Sequence, residues 1–217
     1  MQDVFAVRLA PALIPGVRVH DVGAGRAPTI AAEDRPPGVR YVGLDSAADE
    51  LAAAPRGAYD EVLVHDVTRP LGRDGEFDLA ISWQVLEHVD GLAPALENLR
   101  AALRVGGTLV AQLSGRYSLF AVIARLLPHR ARVWALARSL GAPSQEKFPT
   151  RYDDCSARAL ERLLAPWSTR EVLSFYRGAS YLTPLRPIQR AYLVYESALA
   201  RRDARNLATH YLIIAKR

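Results

Sequence analysis

Apolar residues recur along this chain at two periods, and the switching between them predicts its layout. Short runs rich in β-branched and aromatic residues read as strands. They are Val17-Arg-Val-His-Asp-Val22, Arg40-Tyr-Val-Gly-Leu-Asp45, Tyr59-Asp-Glu-Val-Leu-Val-His-Asp66, Phe77-Asp-Leu-Ala-Ile-Ser-Trp83 and Thr108 to Leu113, with Thr169 to Tyr176 and His210 to Ala215 closing the chain. Helical spacing appears over residues 91–104, where Leu92, Ala95, Leu96, Leu99 and Leu103 share a face and Gly106-Gly107 is expected to stop the helix. Residues 156–165 read as another helix. Residues 2–14, with Val4, Phe5, Val7, Leu9 and Leu13 and ended by Pro15-Gly16, predict a short lead helix over one sheet edge. Residues 28–35 allow at most two helical turns before Pro36-Pro37-Gly38, and Ser46 is expected to cap a helix begun at Ala47. Strands alternating with helices and tight loops imply a parallel sheet in an α/β domain.

Two stretches break this rhythm. Residues 115–142 interleave Leu119, Phe120, Val122, Ile123, Leu126 and Trp134 with Arg125, Arg130, Arg132 and Arg138, a basic amphipathic insert divided at Pro128. It reads as a substrate lid, as a helix pair packed on its own domain, or as a surface touching lipid. Residues 184–203 form a second insert, opened by Pro184 and Pro187 and helical from Ile188. The expectation is one domain over residues 1–217, with inserts at about 115–142 and 177–208.

The first strand runs into Asp21-Val-Gly23-Ala-Gly25, where glycines let the backbone turn hard and approach a ligand. Strand, glycine turn and helix open the nucleotide-binding half of a doubly wound sheet. Asp45 ends the second strand about 20 positions later, the spacing at which a carboxylate meets ribose hydroxyls. A nicotinamide enzyme stays open here, although Gly23-x-Gly25-x-x-Pro28 lacks the third glycine of dinucleotide sites.

Composition narrows this picture little. Half the residues are hydrophobic and about a quarter charged, as in a soluble globular protein. No apolar run could span a bilayer and the N-terminus has no signal pattern, so a cytoplasmic location is expected, with membrane contact only through 115–142. The single Cys155 excludes an intrachain disulfide and argues against a zinc site; no metal is expected. The net charge of +5 comes almost wholly from arginine. It suits nucleic acid, an anionic membrane face or a phosphorylated substrate, or simply an arginine-rich proteome.

Taken together, these motifs resemble the class I S-adenosylmethionine-dependent methyltransferases of the broad type-11 group. His20-Asp-Val-Gly-Ala-Gly25 resembles the family's first motif, Gly43-Leu-Asp45 its acidic second-strand end and Val64-His-Asp66 its third-strand motif. Phe77-Asp-Leu-Ala-Ile-Ser-Trp-Gln-Val-Leu-Glu-His-Val89 is the most specific piece. Leu103-Arg-Val-Gly-Gly-Thr-Leu109 resembles the turn before strand five, with Val105 replacing a proline. The resemblance implies a Rossmann-like, doubly wound seven-stranded sheet of order 3-2-1-4-5-7-6 with the last strand antiparallel. It also implies S-adenosylmethionine as cofactor. Gly23 and Gly25 would lie against its methionine part with Asp21 beside them. Asp45, with Ser46 next to it, would bind the ribose, and Asp66 and Val67 the adenine. Ser82, Trp83 and Gln84 would sit where cofactor meets substrate.

Methyl transfer from a sulfonium mainly needs alignment. A hydroxyl acceptor also benefits from a base, for which His88 and then Asp90 are candidates, with Tyr117 and Tyr152 orienting the substrate. The acceptor is expected to be a small molecule, sugar or lipid-linked glycan, methylated at oxygen. Nucleic acid suits the charge, but strand four lacks an Asn/Asp-Pro-Pro-Tyr type motif for base amines. A non-catalytic methyltransferase-like subunit is the remaining alternative, disfavoured by the acids at 21, 45 and 66.

Overall fold

The computed structural model describes residues 2–119, 121–122, 151–182 and 186–217. Seven strands make one sheet: β1 Arg18–Val22, β2 Arg40–Asp45, β3 Glu61–Val64, β4 Phe77–Trp83, β5 Leu103–Ser114, β6 Thr169–Phe175 and β7 His210–Lys216. Their order is 3-2-1-4-5-7-6, as expected. The first five strands pair in parallel, and β7, the last in the chain, runs antiparallel to both β5 and β6. Helices α1 Gln2–Leu9, α2 Ala48–Ala52, α3 Leu92–Ala102, α4 Ala157–Leu163 and α5 Arg186–Arg201 flank it, with 3-10 turns at Ala32–Asp34, Gly178–Leu182 and Arg205–Leu207.

The helical stripe of α3 buries Leu92, Ala95, Leu96, Leu99 and Ala102 against Val22, Leu44, Ala80, Leu109 and Ala111 of the sheet, and α4 extends that layer with Leu160. Each large aliphatic side chain buried there contributes about 1.5–3 kcal/mol. The other face is thinner. There Phe5 and Leu9 of α1 pack on Val19, Tyr41, Leu79, Ile81, Val110 and Leu212. The lead helix therefore covers the middle of the sheet rather than its edge, because that is where the alternating strand residues leave apolar surface.

Several boundaries differ from expectation. α3 ends at Ala102, and Leu103 already has φ −73° and ψ 142°. Leu103 is fully buried and pairs with Phe77, so tertiary burial ends the helix before Gly106-Gly107, which lie inside β5. Residues 28–35 hold only one 3-10 turn, Ala32–Asp34. β3 is four residues long because its flanks do other work. Asp60 accepts the Tyr41 N–H at 2.7 Å, and the Tyr59 hydroxyl donates to the carbonyls of Ala24 and Gly25 at 2.8 and 3.0 Å. Ser46 does not cap α2. Asp45 Oδ1 accepts the Ala47 N–H at 2.9 Å instead.

The insert expected at 115–142 lies mostly outside the described residues, which include only its positions 115–119 and 121–122. In the second insert α5 begins at Arg186, two positions before Ile188. It is tied to the sheet by Glu196, a buried carboxylate that accepts from Gly178 N at 2.6 Å, Ala179 N at 3.2 Å and Thr209 Oγ1 at 2.9 Å. Among the described residues, no helix is long and apolar enough to cross a membrane.

Gly43 lies in β2 with the Tyr59 ring packed directly against it. A Cβ at Gly43 would approach that ring to 2.6 Å. Gly43→Ala is therefore expected to lower stability by about 1–3 kcal/mol through overpacking, measured by urea unfolding.

Candidate active site

β1 ends at Val22 and the chain enters a loop in which Gly23 and Gly25 take φ +73° and +52°. Three anchors fix its shape. Gly23 N and Ala24 N both donate to the Leu44 carbonyl, at 2.7 and 3.0 Å. Asp21, fully buried beneath, accepts from Thr29 N at 2.8 Å, Thr29 Oγ1 at 2.7 Å and the Tyr41 hydroxyl at 2.7 Å. Burial pushes the Asp21 carboxyl up from its ordinary range, against the pull of those three donors. Tyr59 holds the loop from above through the two carbonyls already described.

Asp45 closes the next side. Its Oδ2 accepts the Gly25 N–H at 3.1 Å while Oδ1 holds the first turn of α2. Arg26 reaches over to Glu50 in a two-pronged pair at 2.7 and 2.9 Å. Asp66, at the mouth, accepts Thr68 N at 2.9 Å and Thr68 Oγ1 at 2.8 Å, which holds its carboxyl below the usual range.

The turn after β4 supplies the far wall. Gln84 has φ +56°, unusual for a residue with a side chain, and its N–H donates to the Gln112 carbonyl at 2.9 Å. That turn throws Val85 across Gly23, where an added Cβ would meet Val85 at 2.2 Å. The bareness of Gly23 therefore admits Val85, whereas the Cβ position of Gly25 has only Asp45 and Glu50 at ordinary contact distance.

Between these walls lies a cavity of about 600 Å³. Gly23, Gly25, Asp45, Ser46, Asp66, Val67, Gln84 and His88 all line it. Asp21, Trp83, Tyr117 and Tyr152 do not. Asp21 spends its carboxylate on the loop. Trp83 meets Phe5 of α1 edge-on, with ring centroids 5.0 Å apart. Tyr117 is exposed beside Arg116, and Tyr152 donates its N–H to the Glu87 carbonyl at 3.0 Å. Ser82 is buried and donates to the Val22 carbonyl at 3.2 Å. Cys155 is fully buried and its thiol is pushed up by burial, which suits packing and not nucleophilic attack.

Sequence reasoning missed Glu50, His65, Val85 and Arg151 on the cavity wall. Arg151 gives no local signal, because it returns to the site only after a long insert. Its N–H donates to the Glu87 carbonyl at 3.0 Å, and its guanidinium lies 3.6 Å from Asp90.

The cavity suits an adenosine-containing cofactor. Val22, Leu44 and Val67 give an apolar floor, and carboxylates stand at the ends of β2 and β3. Asp45 keeps acceptor capacity beyond its two backbone donors. A dinucleotide fits less well. No α-helix opens at the loop to receive a pyrophosphate, and Pro28 stands where a dinucleotide site has its third glycine.

Comparison with known proteins agrees. Residues 21–109 match the family described as a methyltransferase domain. Phosphoethanolamine N-methyltransferase 2 from Haemonchus contortus, solved with phosphomonomethylethanolamine and S-adenosylhomocysteine, superposes with TM-score 0.62 at 14% identity. That alignment covers all of this chain but only 52% of the other, so the chain spans about half the length of that enzyme. A possible histamine N-methyltransferase from Thermotoga maritima gives TM-score 0.58 at 12% identity, over 98% of this chain and 88% of that one. An S-adenosylmethionine-dependent methyltransferase from Mesorhizobium loti gives 0.56 at 20%, over 100% and 98%. A search of curated protein sequences gave no match. The fold and cavity thus define a Rossmann-like protein with a nucleoside-cofactor site. Residues 21–109 match the methyltransferase-domain family, and the chain shares the overall fold of the S-adenosylmethionine-dependent methyltransferases it superposes on.

Glu87 sits just behind His88, almost fully buried, with Oε1 accepting the Ser114 N–H at 3.1 Å and Oε2 unpartnered. Burial raises its pKa above the ordinary 4.5. A carboxyl raised on folding stabilises below its ordinary pKa and loses that contribution as pH rises through the folded value. The melting temperature of wild type should therefore fall relative to Glu87→Gln as pH climbs above 4.5. A constant difference across the titration would contradict this.

Proposed function

We propose that the enzyme methylates a hydroxyl oxygen of a small-molecule, sugar or lipid-linked glycan acceptor. The observation that carries this reading is His88. It lines the cavity at the turn after β4, and its Nδ1 is buried with no hydrogen-bond partner. The bond of its own N–H to the Val85 carbonyl, at 2.9 Å, fixes the backbone from which the ring projects.

Bound S-adenosylmethionine supplies a methyl group already activated by a sulfonium. Asp45 would hold the ribose hydroxyls, Asp66 the adenine amino group and the Gly25 loop the methionine part. What the chain must add is alignment, exclusion of water and a destination for the acceptor's proton. His88 takes that proton, and Gln84 orients the acceptor beside it. The wall at Arg151, anchored to Glu87, narrows the cavity on the side where the insert returns. An amine or carboxylate acceptor would not need His88, which is why an unpartnered imidazole favours a hydroxyl.

Calorimetric titration with S-adenosylmethionine should show saturable binding. Asp45→Ala should weaken it roughly 10- to 100-fold, the worth of hydrogen bonds to a charged group. NADH should not compete. With a radiolabelled methyl donor and a panel of sugars and other alcohols, His88→Ala should cut kcat roughly 10²- to 10⁴-fold while cofactor affinity stays within about twofold. Product methylated at nitrogen, or turnover indifferent to His88, would overturn the hydroxyl reading.

A further inference from the structure

Charge is spread unevenly around the cavity. Four carboxylates line it, Asp45, Glu50, Asp66 and Asp90, but among the described residues only one Lys or Arg, Arg151. Three of the acids stand on the β2 and β3 side. Asp45 and Asp66 face the cofactor in the methyl-transfer reading, and Glu50 is neutralised by its two-pronged pair with Arg26. Arg151 stands across β1 from them, joined to the turn after β4 that carries Gln84, His88 and Asp90.

The main chain fixes Arg151 there. Its N–H and that of Tyr152 both donate to the Glu87 carbonyl, each at 3.0 Å, and Tyr152 takes φ +58°. A residue with a side chain holds that conformation only where its surroundings over-determine it. Glu87 precedes His88, so the bonds that place Arg151 also fix its backbone relative to the residue that takes the acceptor's proton.

A structural ion pair does not explain the guanidinium. It lies 3.6 Å from the Asp90 carboxylate, too far for a hydrogen bond, and the Asp90 side chain is 73% exposed. An ion pair so open to water adds little to stability. A guanidinium carries five N–H donors in a rigid fork, which matches two oxygens of a phosphate or carboxylate at once. An anion entering the cavity can engage that fork where Asp90 does not. A cationic acceptor would bring like charge beside it, and a neutral one would displace its water without replacing the charge-assisted bonds.

We infer that Arg151 is an acceptor-binding residue, and that the acceptor carries a phosphate or carboxylate on the same skeleton as its hydroxyl. The anionic group pairs with Arg151 while the hydroxyl meets His88. This rests on the methyl-transfer reading above and narrows its acceptor class to hydroxy compounds bearing an acid group.

The test uses the full chain, nitrogen-15-labelled, with S-adenosylhomocysteine added. The Arg151 Nε–H resonance is assigned by its loss in Arg151→Gln. Inorganic phosphate, glucose 6-phosphate and 4-hydroxybenzoate serve as anionic probes, with glucose and phenol as the neutral counterparts of the last two. The expected result is a saturable shift of that resonance with at least one anionic probe and none with glucose or phenol. By calorimetry, Arg151→Gln should weaken the same probe roughly 10- to 100-fold and bind S-adenosylhomocysteine within about twofold of wild type. Arg8→Gln, on α1, should leave the probe's affinity unchanged. No shift with any anionic probe overturns the proposal, and so does an equal shift with the neutral counterparts. It also falls if Arg151→Gln weakens S-adenosylhomocysteine but not 5′-methylthioadenosine, which lacks the amino-acid part, because Arg151 then holds the cofactor's own carboxylate. Failure of S-adenosylhomocysteine to bind wild type removes the methyl-transfer reading separately; the anion titration is then read on the free protein and still decides whether Arg151 binds an acid group.

Discussion

Asp21 lies under the glycine loop, out of contact with water, and is surrounded by donors from Thr29 and Tyr41. A buried carboxylate is costly unless every lone pair facing the interior finds a donor. The chain therefore has to bend back after Gly25 so that Thr29 can reach it. That bend puts the Gly25 N–H against Asp45 and leaves the cavity open above. Asp21 thus shapes the site without lining it, and the same bonds hold Tyr41 in the α1-side core, where its hydroxyl also accepts the Ile30 N–H.

The second constraint comes from the turn after β4. Gln84 accepts an unfavourable backbone conformation because its N–H is held by β5 and because Val85 must fit over Gly23. Strain of this kind persists only where the surroundings over-determine it. Glu87 extends the arrangement. Its carbonyl receives both Arg151 and Tyr152, its carboxyl receives Ser114, and the Arg116 N–H bonds to the Cys155 carbonyl nearby. Ser114 and Arg151, which flank the first insert, are thus both held by Glu87.

The two faces of the sheet then divide the labour. The α3 side is a deep core whose packing holds the strand ends in place. The α1 side is thin, contains the orphaned amide of Gln112, and is covered by a helix with two anchoring side chains. The cavity lies over the ends of β1 to β4. A doubly wound sheet favours this placement, since ligands collect beyond its carboxyl ends.

Much of this was legible in the chain. Strand runs such as Phe77 to Trp83, the Gly23 and Gly25 turn and the acid at Asp45 are local patterns, because burial on a parallel strand and positive φ at glycine are properties of a few neighbouring residues. The strand order came only through the family resemblance, as did the adenine role of Asp66. What lay beyond the sequence was direction. Nothing local tells Asp21 from Asp45, yet one points into the sheet and the other towards the cavity. Trp83 and Gln84 are adjacent, yet Trp83 ends β4 against Phe5 while the positive-φ turn carries Gln84 to the cavity. Arg151 joins the site across a long insert, and α3 stops four residues before its glycines because Leu103 is worth more in the core. The sequence by itself determined the elements and the class of chemistry. The tertiary structure alone decided which polar groups hold the fold and which face a ligand, because that depends on partners brought together from distant parts of the chain.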